Sequence, residues 1–397
     1  MLGWEYPPHI SGGLATACHG LVQGLLKEGH EITFLMPKAN EEVNKDRFRL
    51  ISANNVTLPT NVDLNRFTLL KKIIPGVNAK RSQHISGETY SFSGSYGPNL
   101  MEEAFWFAIV VSKLVKELDF DIIHAHDWLT FPAGLLAKQI SGKPLVIHVH
   151  ATEFDRSAKI NSRIYEIERQ GMLGANKVMA VSNLTRKTII DKYRIDAKKV
   201  ITTYNGVEQK SSETVPSTSN FKDKIVTFLG RITYQKGPEY FIEAAEKILK
   251  KDKNVHFVMA GSGDLLPEMI RKVAAKRLSS HFHFTGFLKG KEVDRMLAMT
   301  DVFVMPSVSE PFGIAPLEAI RSNVPVIVSR QSGVAEVLPH ALIVDYWDTD
   351  NLAEAIYGLL HHNTLAKVVK DFGKETLKNL TWDNAALNVS STYLSVA

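Results

Sequence analysis

Short β-branched runs alternate with helical stripes from one end of the chain to the other. In the first half the strand-like runs are Ile32–Met36, Ile122–His126, Leu145–His150, Val178–Val181 and Val200–Tyr204. Helical periodicity at 14–28, 100–117, 129–140, 161–174 and 183–193 falls before or between them. The stretch 14–28 places Leu14, Cys18, Leu21, Val22, Leu25 and Leu26 on one stripe and stops at Gly29. Residues 40–99 interrupt the rhythm with Asn, Ser, Gly and two short β-like patches, and they read as an insertion.

A Ser/Thr-rich stretch from Gln209 to Lys224 with little apolar content reads as a linker. Beyond it the alternation restarts, with strands at Ile225–Leu229, Val255–Ala260, His281–Thr285, Val302–Met305 and Val324–Val328. Helical patterns follow at 238–251, 265–277, 291–299, 315–322, 350–361 and 364–378. Apolar strands separated by helices predict parallel sheets covered on both faces. Two such blocks around a linker predict an α/β protein of two Rossmann-like, doubly wound domains, 1–214 and 215–380. The start is unusual, because only Met1 and Leu2 precede Gly3-Trp4-Glu5-Tyr6-Pro7-Pro8. A doubly wound domain opens with a strand, so the first strand is expected to be truncated or missing.

Composition adds little to this picture but removes several alternatives. The 397 residues, 44% hydrophobic and 22% charged, make a globular chain able to bury a sizeable core. A net charge of +5 suits anionic substrates without implying a nucleic-acid partner. One cysteine, Cys18, excludes an internal disulfide, and no basic start leads into an apolar stretch. The apolar run around Phe105–Val111 falls far short of the ~20 residues that span a bilayer. A cytoplasmic protein is expected.

Four loops where strands hand over to helices carry the candidate chemistry. Ser11-Gly12-Gly13-Leu14 opens the first helix, where glycine lets the backbone approach a ligand and the helix N-terminus offers N–H groups to an anion. It is not GxGxxG, and no acidic residue ends a strand ~20 positions on, so a nicotinamide dehydrogenase is disfavoured. Gly230-Arg231-Ile232-Thr233-Tyr234-Gln235-Lys236-Gly237-Pro238 puts Arg231 after a strand and Lys236 before a helix, two cations able to grip a diphosphate. In Pro306–Glu318, Glu310 stands at a loop tip and Glu318 inside the following helix. Such carboxylates accept hydrogen bonds from sugar hydroxyls, and the backbone around Phe312, Gly313 and Ile314 offers N–H groups to phosphate. Finally, strand alternation points His124 and His126 to one face, and likewise His148 and His150. Two HxH pairs invite a zinc reading, but no third ligand stands at convincing spacing. The expectation is no metal, with Asp127 and His150 as polar groups lining a cleft.

Taken together, these residues resemble glycosyltransferase family 4 over almost the whole chain. The motifs occur in the family's order: Gly12-Gly13-Leu14, His124-Ala125-His126-Asp127-Trp128, Asn205-Gly206-Val207, Arg231 through Lys236-Gly237, and Glu310 with Glu318. Trp4-Glu5-Tyr6-Pro7-Pro8 and the His124–Trp128 segment look most like glycogen and starch synthases, although Ile10 stands where those enzymes often carry lysine.

The resemblance implies the GT-B fold, with two Rossmann-like domains facing across a cleft and a last helix at 381–397 packing back on the first domain. It also implies a retaining transfer of a sugar, glucose first, from an ADP- or UDP-linked donor to a glycan acceptor such as an α-glucan. No cofactor and no metal are implied. By the same resemblance Arg231 and Lys236 hold the diphosphate, Glu310 the donor sugar, and Glu318 the ribose. His150 lies by the sugar or β-phosphate, Asp127 by the anomeric centre, and Gly13 approaches the phosphate.

Two other readings compete. Phe67–Ile74 followed by Lys80 and Arg81 interleaves apolar and basic residues, as a peripheral membrane contact for a transferase with a lipid or cell-surface acceptor would. A catalytically silent sugar-binding protein is the other, opposed by the intact Arg231, Lys236, Glu310 and Glu318.

Overall fold

The computed structural model describes residues 1–8, 12–58, 67–74, 85–86, 89–156, 159–208 and 222–397. The chain divides into two units: Met1–Phe154, Ala158–Tyr204 and Trp382–Ala397 form one, and Asp155–Ser157 with Asn205–Thr381 the other. The change of unit falls at Tyr204/Asn205, ahead of residue 214. Most of the Ser/Thr-rich stretch lies outside the described residues.

The strands of the first unit are β1 (Ile32–Met36), β2 (Val43–Lys45), β3 (Phe48–Ser52), β4 (Ile85–Ser86), β5 (Thr89–Tyr90), β6 (Ile123–His126), β7 (Leu145–Val149), β8 (Lys177–Ala180) and β9 (Val200–Thr202). Its helices are α1 (Gly13–Lys27), α2 (Thr68–Ile73), α3 (Leu100–Leu114), α4 (Phe131–Ser141), α5 (Glu153–Arg156), α6 (Ser162–Gly174) and α7 (Asn183–Tyr193). β6, β7, β8 and β9 pair in parallel in that order. β3 pairs in parallel with β1, and the short β2 closes that edge antiparallel.

Two expectations are corrected here. Residues 40–99 are not wholly an insertion, because Phe48–Ser52 is a sheet strand with Leu50 and Ile51 buried against the core. Its apolar positions need the parallel partner β1, which linear spacing does not reveal. The first strand is also not wholly missing but stands as a stub. Leu2 bridges Leu35 of β1 and Ala125 of β6, with the Leu2 N–H on the His124 carbonyl at 2.7 Å. The order is then β3, β1, the Met1–Gly3 stub, β6, β7, β8, β9, and the direction in which strands are added reverses beside the stub.

The second unit has β10 (Lys224–Leu229), β11 (Val255–Ala260), β12 (Phe282–Gly286), β13 (Val302–Met305), β14 (Val326–Ser329) and β15 (Leu342–Val344). Between and after them run α8 (Pro238–Leu249), α9 (Leu266–Ala275), α10 (Lys291–Ala298), α11 (Ala315–Arg321), α12 (Thr349–His361) and α13 (Asn363–Leu377). All six strands are parallel in the order β12-β11-β10-β13-β14-β15. This is the doubly wound 3-2-1-4-5-6 arrangement, whose switch point lies between β10 and β13. β13 and β14 are buried at every position, as helices on both faces require.

The last helix, α14 (Trp382–Leu394), belongs to the first unit and packs on α1. A Cβ on Gly20 would stand 2.2 Å from the Trp382 ring, and one on Gly24 2.6 Å from the Trp382 carbonyl oxygen. Only glycine lets the two helices approach this closely. His30 to Ser390 (2.7 Å) and Lys27 to Asp383 (2.8 Å) close the ends of the contact.

Candidate active site

In the second unit the chemistry gathers at the switch point. The strand β10 ends at Leu229, and two residues later comes Arg231. The turn Tyr234–Lys236 then leads through Gly237 into α8. Gly237 has φ 64°, and a Cβ there would lie 2.1 Å from the Pro306 carbonyl oxygen. That contact locks this loop against the one after β13. The Gln235 carbonyl accepts the Val308 N–H at 2.9 Å, and its side-chain oxygen faces the exposed Arg231 guanidinium at 3.4 Å.

The result joins two residues separated by 74 positions. Lys236 Nζ donates to Glu310 Oε2, in an ion pair whose side chains are 19% and 9% exposed. Glu310 is itself pinned by its backbone, with its N–H on the Gln331 carbonyl (3.0 Å) and its carbonyl accepting from Gly333 (2.9 Å). Phe312 is buried, Gly313 and Ile314 are half-buried, and Glu318 lies in the first turn of α11. The direct Lys236–Glu310 pairing and the role of Gln235 were not read from sequence. Gln235 lies between the two cations, and that position was the available signal.

In the first unit Gly12 and Gly13 enter α1 beside the Met1–Gly3 stub, and Asp127 follows β6 across the other switch point. Among the described residues, a Cβ on Gly12 or Gly13 would meet no atom within 4 Å, and Gly12 is extended at φ −179°. Neither packing nor backbone conformation requires glycine there. Ser11 lies outside the described residues. Asp127 takes φ 58°, and its Oδ1 accepts the N–H groups of His150 (2.7 Å) and Ala151 (3.3 Å). Asp127 is thereby held against the backbone of His150.

The two HxH pairs stack as alternation predicts, with ring centroids 4.3 Å apart for His124 and His126 and 4.5 Å for His148 and His150. His126 Nδ1 and His150 Nε2 lie 3.0 Å apart, and His124 Nδ1 meets the Tyr393 hydroxyl of α14 at 2.6 Å. Burial holds all four imidazoles neutral. It pushes His150 down to about 3 and the other three well below the usual histidine range.

Against the expectation from linear spacing, the fold brings a third candidate ligand beside the paired imidazoles. Cys18, His126 and His150, and separately His124, His126 and His148, each bring ligand atoms within 4.8 Å of one another. Helix α1 and the neighbouring strand supply what linear spacing hides. Along each strand, however, the imidazoles lie face to face, whereas a bound ion sits in the plane of each ring, so shared ligation requires the rings to turn.

Within Phe67–Ile74, Phe67 and Leu69 are half-buried and pack against the core of the first unit. Leu70, Ile73 and Ile74 are buried in the core of the first unit, while Lys80 and Arg81 lie outside the described residues. Among the described residues no helix is long and apolar enough to cross a membrane.

Two doubly wound Rossmann-like units make the GT-B fold, the fold of many glycosyltransferases. Residues 11–210 match the model for glycosyltransferase family 4, and residues 210–376 that for glycosyl transferases group 1. An uncharacterized glycosyltransferase of Methanocaldococcus jannaschii is 30% identical, over 99% of this chain and 97% of its own. A glycogen synthase of Mycobacterium tuberculosis is 22% identical over 100% of this chain and 94% of its own. Among solved structures, the sucrose-phosphate synthase of Thermosynechococcus elongatus superposes with a TM-score of 0.77 at 18% identity, covering 99% of this chain and 97% of that one. The chain belongs to glycosyltransferase family 4.

Proposed function

We propose that this chain is a retaining, metal-independent glycosyltransferase that moves glucose from ADP- or UDP-glucose to an α-glucan in the cytoplasm. The observation that carries this reading is the Lys236–Glu310 ion pair at the switch point of the second unit, with Arg231 on the same loop facing Gln235. Departure of a nucleoside diphosphate creates the largest new negative charge of the transfer. Arg231 and Lys236 are the groups suited to stabilise it, and preorganised charge of this kind often dominates catalysis. Glu310 holds the Lys236 ammonium in place before donor binds, so little reorganisation is needed when the diphosphate arrives.

Gly12 and Gly13 support the same reading from the first unit. Among the described residues nothing packs where their side chains would stand, and open space before a helix N-terminus suits a phosphate. The Asp127 carboxylate is engaged by two backbone N–H groups and is poorly suited to act as a nucleophile on the sugar. Front-face substitution follows, with the leaving phosphate taking the acceptor proton. The full-length similarity to a glycogen synthase favours the α-glucan acceptor.

The test is a thermal-shift panel of nucleotide sugars, followed by transfer assays with Arg231→Ala. A donor that binds only the folded state adds about 2.7 kcal/mol of stability at a hundred times Kd. Arg231→Ala should keep the fold and lose about 10²–10³ in turnover. Wild-type turnover in that variant would refute the diphosphate role.

A further inference from the structure

We propose that Tyr234, Tyr240, Tyr346 and Trp347 form a binding platform for a neutral oligosaccharide, which holds the acceptor chain beside the donor loops. This rests on the transferase reading above and adds to it the class and place of acceptor binding.

The four residues come from three segments of the second unit that meet at the carboxyl edge of its sheet. Tyr234 opens the same short turn that ends in Lys236. Tyr240 lies in the first turn of α8, and Tyr346 and Trp347 lie between β15 and α12. The Tyr240 and Tyr346 rings meet at 5.0 Å and 63°, and those of Tyr346 and Trp347 at 4.8 Å and 85°. Gly237, which follows the Tyr234–Lys236 turn, packs against Tyr240, so that a Cβ there would stand 3.1 Å from the Tyr240 ring.

Despite these contacts the cluster is not core. Trp347 is 57% exposed and Tyr234 52%. Trp4, Trp106, Trp128 and Trp382 are by contrast all buried. Large aromatic faces held rigidly at the surface mark recognition sites more often than chance exposure.

The surrounding charge selects the ligand. Glu239 and Glu243 lie close to Tyr240, and Asp345, Asp348 and Asp350 flank Trp347 in sequence. The neighbouring cations are engaged: Lys247 with Asp350 at 2.6 Å, Arg330 with Asp345 at 3.4 Å, and Lys272 with both Glu239 and Glu243. With these cations paired to carboxylates, none of them is poised to grip a phosphate. Carboxylates and phenol hydroxyls instead accept from, and donate to, sugar hydroxyls, while ring faces cover the apolar C–H face of a pyranose. The turn shared by Tyr234 and Lys236 makes the platform continuous with the proposed donor site.

The test uses the full chain with maltoheptaose as probe, read by calorimetry and by tryptophan emission, with glucose and a nucleotide sugar as separate arms. Maltoheptaose should bind saturably and more tightly than glucose, and should shift the emission of the exposed Trp347 to the blue. Trp347→Ala should weaken maltoheptaose by about tenfold or more, the loss expected of a central aromatic anchor. Trp347→Phe should retain most of the affinity, and both variants should bind the nucleotide sugar as wild type does. Equal maltoheptaose affinity in wild type and Trp347→Ala would overturn the platform. So would nucleotide-sugar binding without maltoheptaose binding, which leaves the transferase reading standing. Weakened nucleotide-sugar binding in Trp347→Ala would place the cluster in the donor pocket and overturn it too. Maltoheptaose binding without any nucleotide-sugar binding would uphold the platform and refute the transferase reading.

Discussion

Glu310 and Glu318 look alike in sequence, yet their surroundings give them different work. Glu310 is buried, tied to Lys236 and held by its own backbone, whereas Glu318 is a half-buried acid in the first turn of a short helix. If Glu310 holds the donor sugar, Glu310→Gln should lower kcat as well as donor affinity, because contacts near the anomeric centre strengthen as bonds break. If Glu318 holds the ribose, Glu318→Gln should raise the donor KM with kcat little changed, since that contact is equal in ground and transition states. Steady-state kinetics with donor varied at saturating acceptor separate the two, and the reverse pattern would exchange their roles. The imidazole cluster calls for a second check at this scale. Turnover should survive EDTA, because the charges proposed to act on the diphosphate are side chains of the second unit. Activity lost to EDTA and restored by zinc would reassign His126 and His150 as ligands.

At the scale of elements, the contact between α1 and α14 is a tightly constrained joint in the first unit. The stripe on α1 was legible as a helix face, with Cys18, Leu21, Val22 and Leu25 all buried. The opposite requirement, that Gly20 and Gly24 leave room for Trp382 and Ala386, depends on a helix more than 350 residues away and has no local signal. Gly24→Ala should therefore destabilise the first unit by about 1–3 kcal/mol, the usual cost of overpacking a close contact. The large-to-small change Trp382→Phe beside Gly20→Ala should recover part of the corresponding loss at Gly20. Thermal melts of the single and double variants measure both, and a neutral Gly24→Ala would mean the helices separate without cost.

For the whole molecule, the buried imidazoles set an asymmetry between the two units. His124, His126, His148 and His150 all lie in the first, and each titrates below its unfolded value because burial disfavours the charged form. Below the unfolded value of about 6.5 the unfolded chain binds the extra protons, so stability falls as pH drops. For His150 the loss extends from about 6.5 to about 3, with a slope of up to about 1.4 kcal/mol per pH unit. Urea unfolding from pH 7 to pH 4 should show the first unit losing stability ahead of the second. His148→Asn should flatten that dependence, and an unchanged pH profile in the variant would deny the cluster this role.

Much of this architecture was legible in the linear chain because its causes are local. Strand runs such as Ile32–Met36 matched the structure residue for residue, since continuous apolar β-branched segments serve sheets covered on both faces. The loop chemistry at Arg231, Lys236, Glu310 and Asp127 was legible because such residues stand just after strands, where doubly wound sheets collect ligands. What depended on long-range pairing was not legible. The strand Phe48–Ser52 is recognisable only beside β1, and Leu2 acts as a strand only between β1 and β6. The Lys236–Glu310 ion pair and the third members of the imidazole clusters likewise exist only once separate strands are brought side by side. Sequence periodicity determined which segments are helix or strand and which loops carry charge, because those follow from neighbours a few residues apart. Tertiary structure alone decided which of those charges meet, because a contact across a parallel sheet depends on strand order, and strand order leaves no period in the chain.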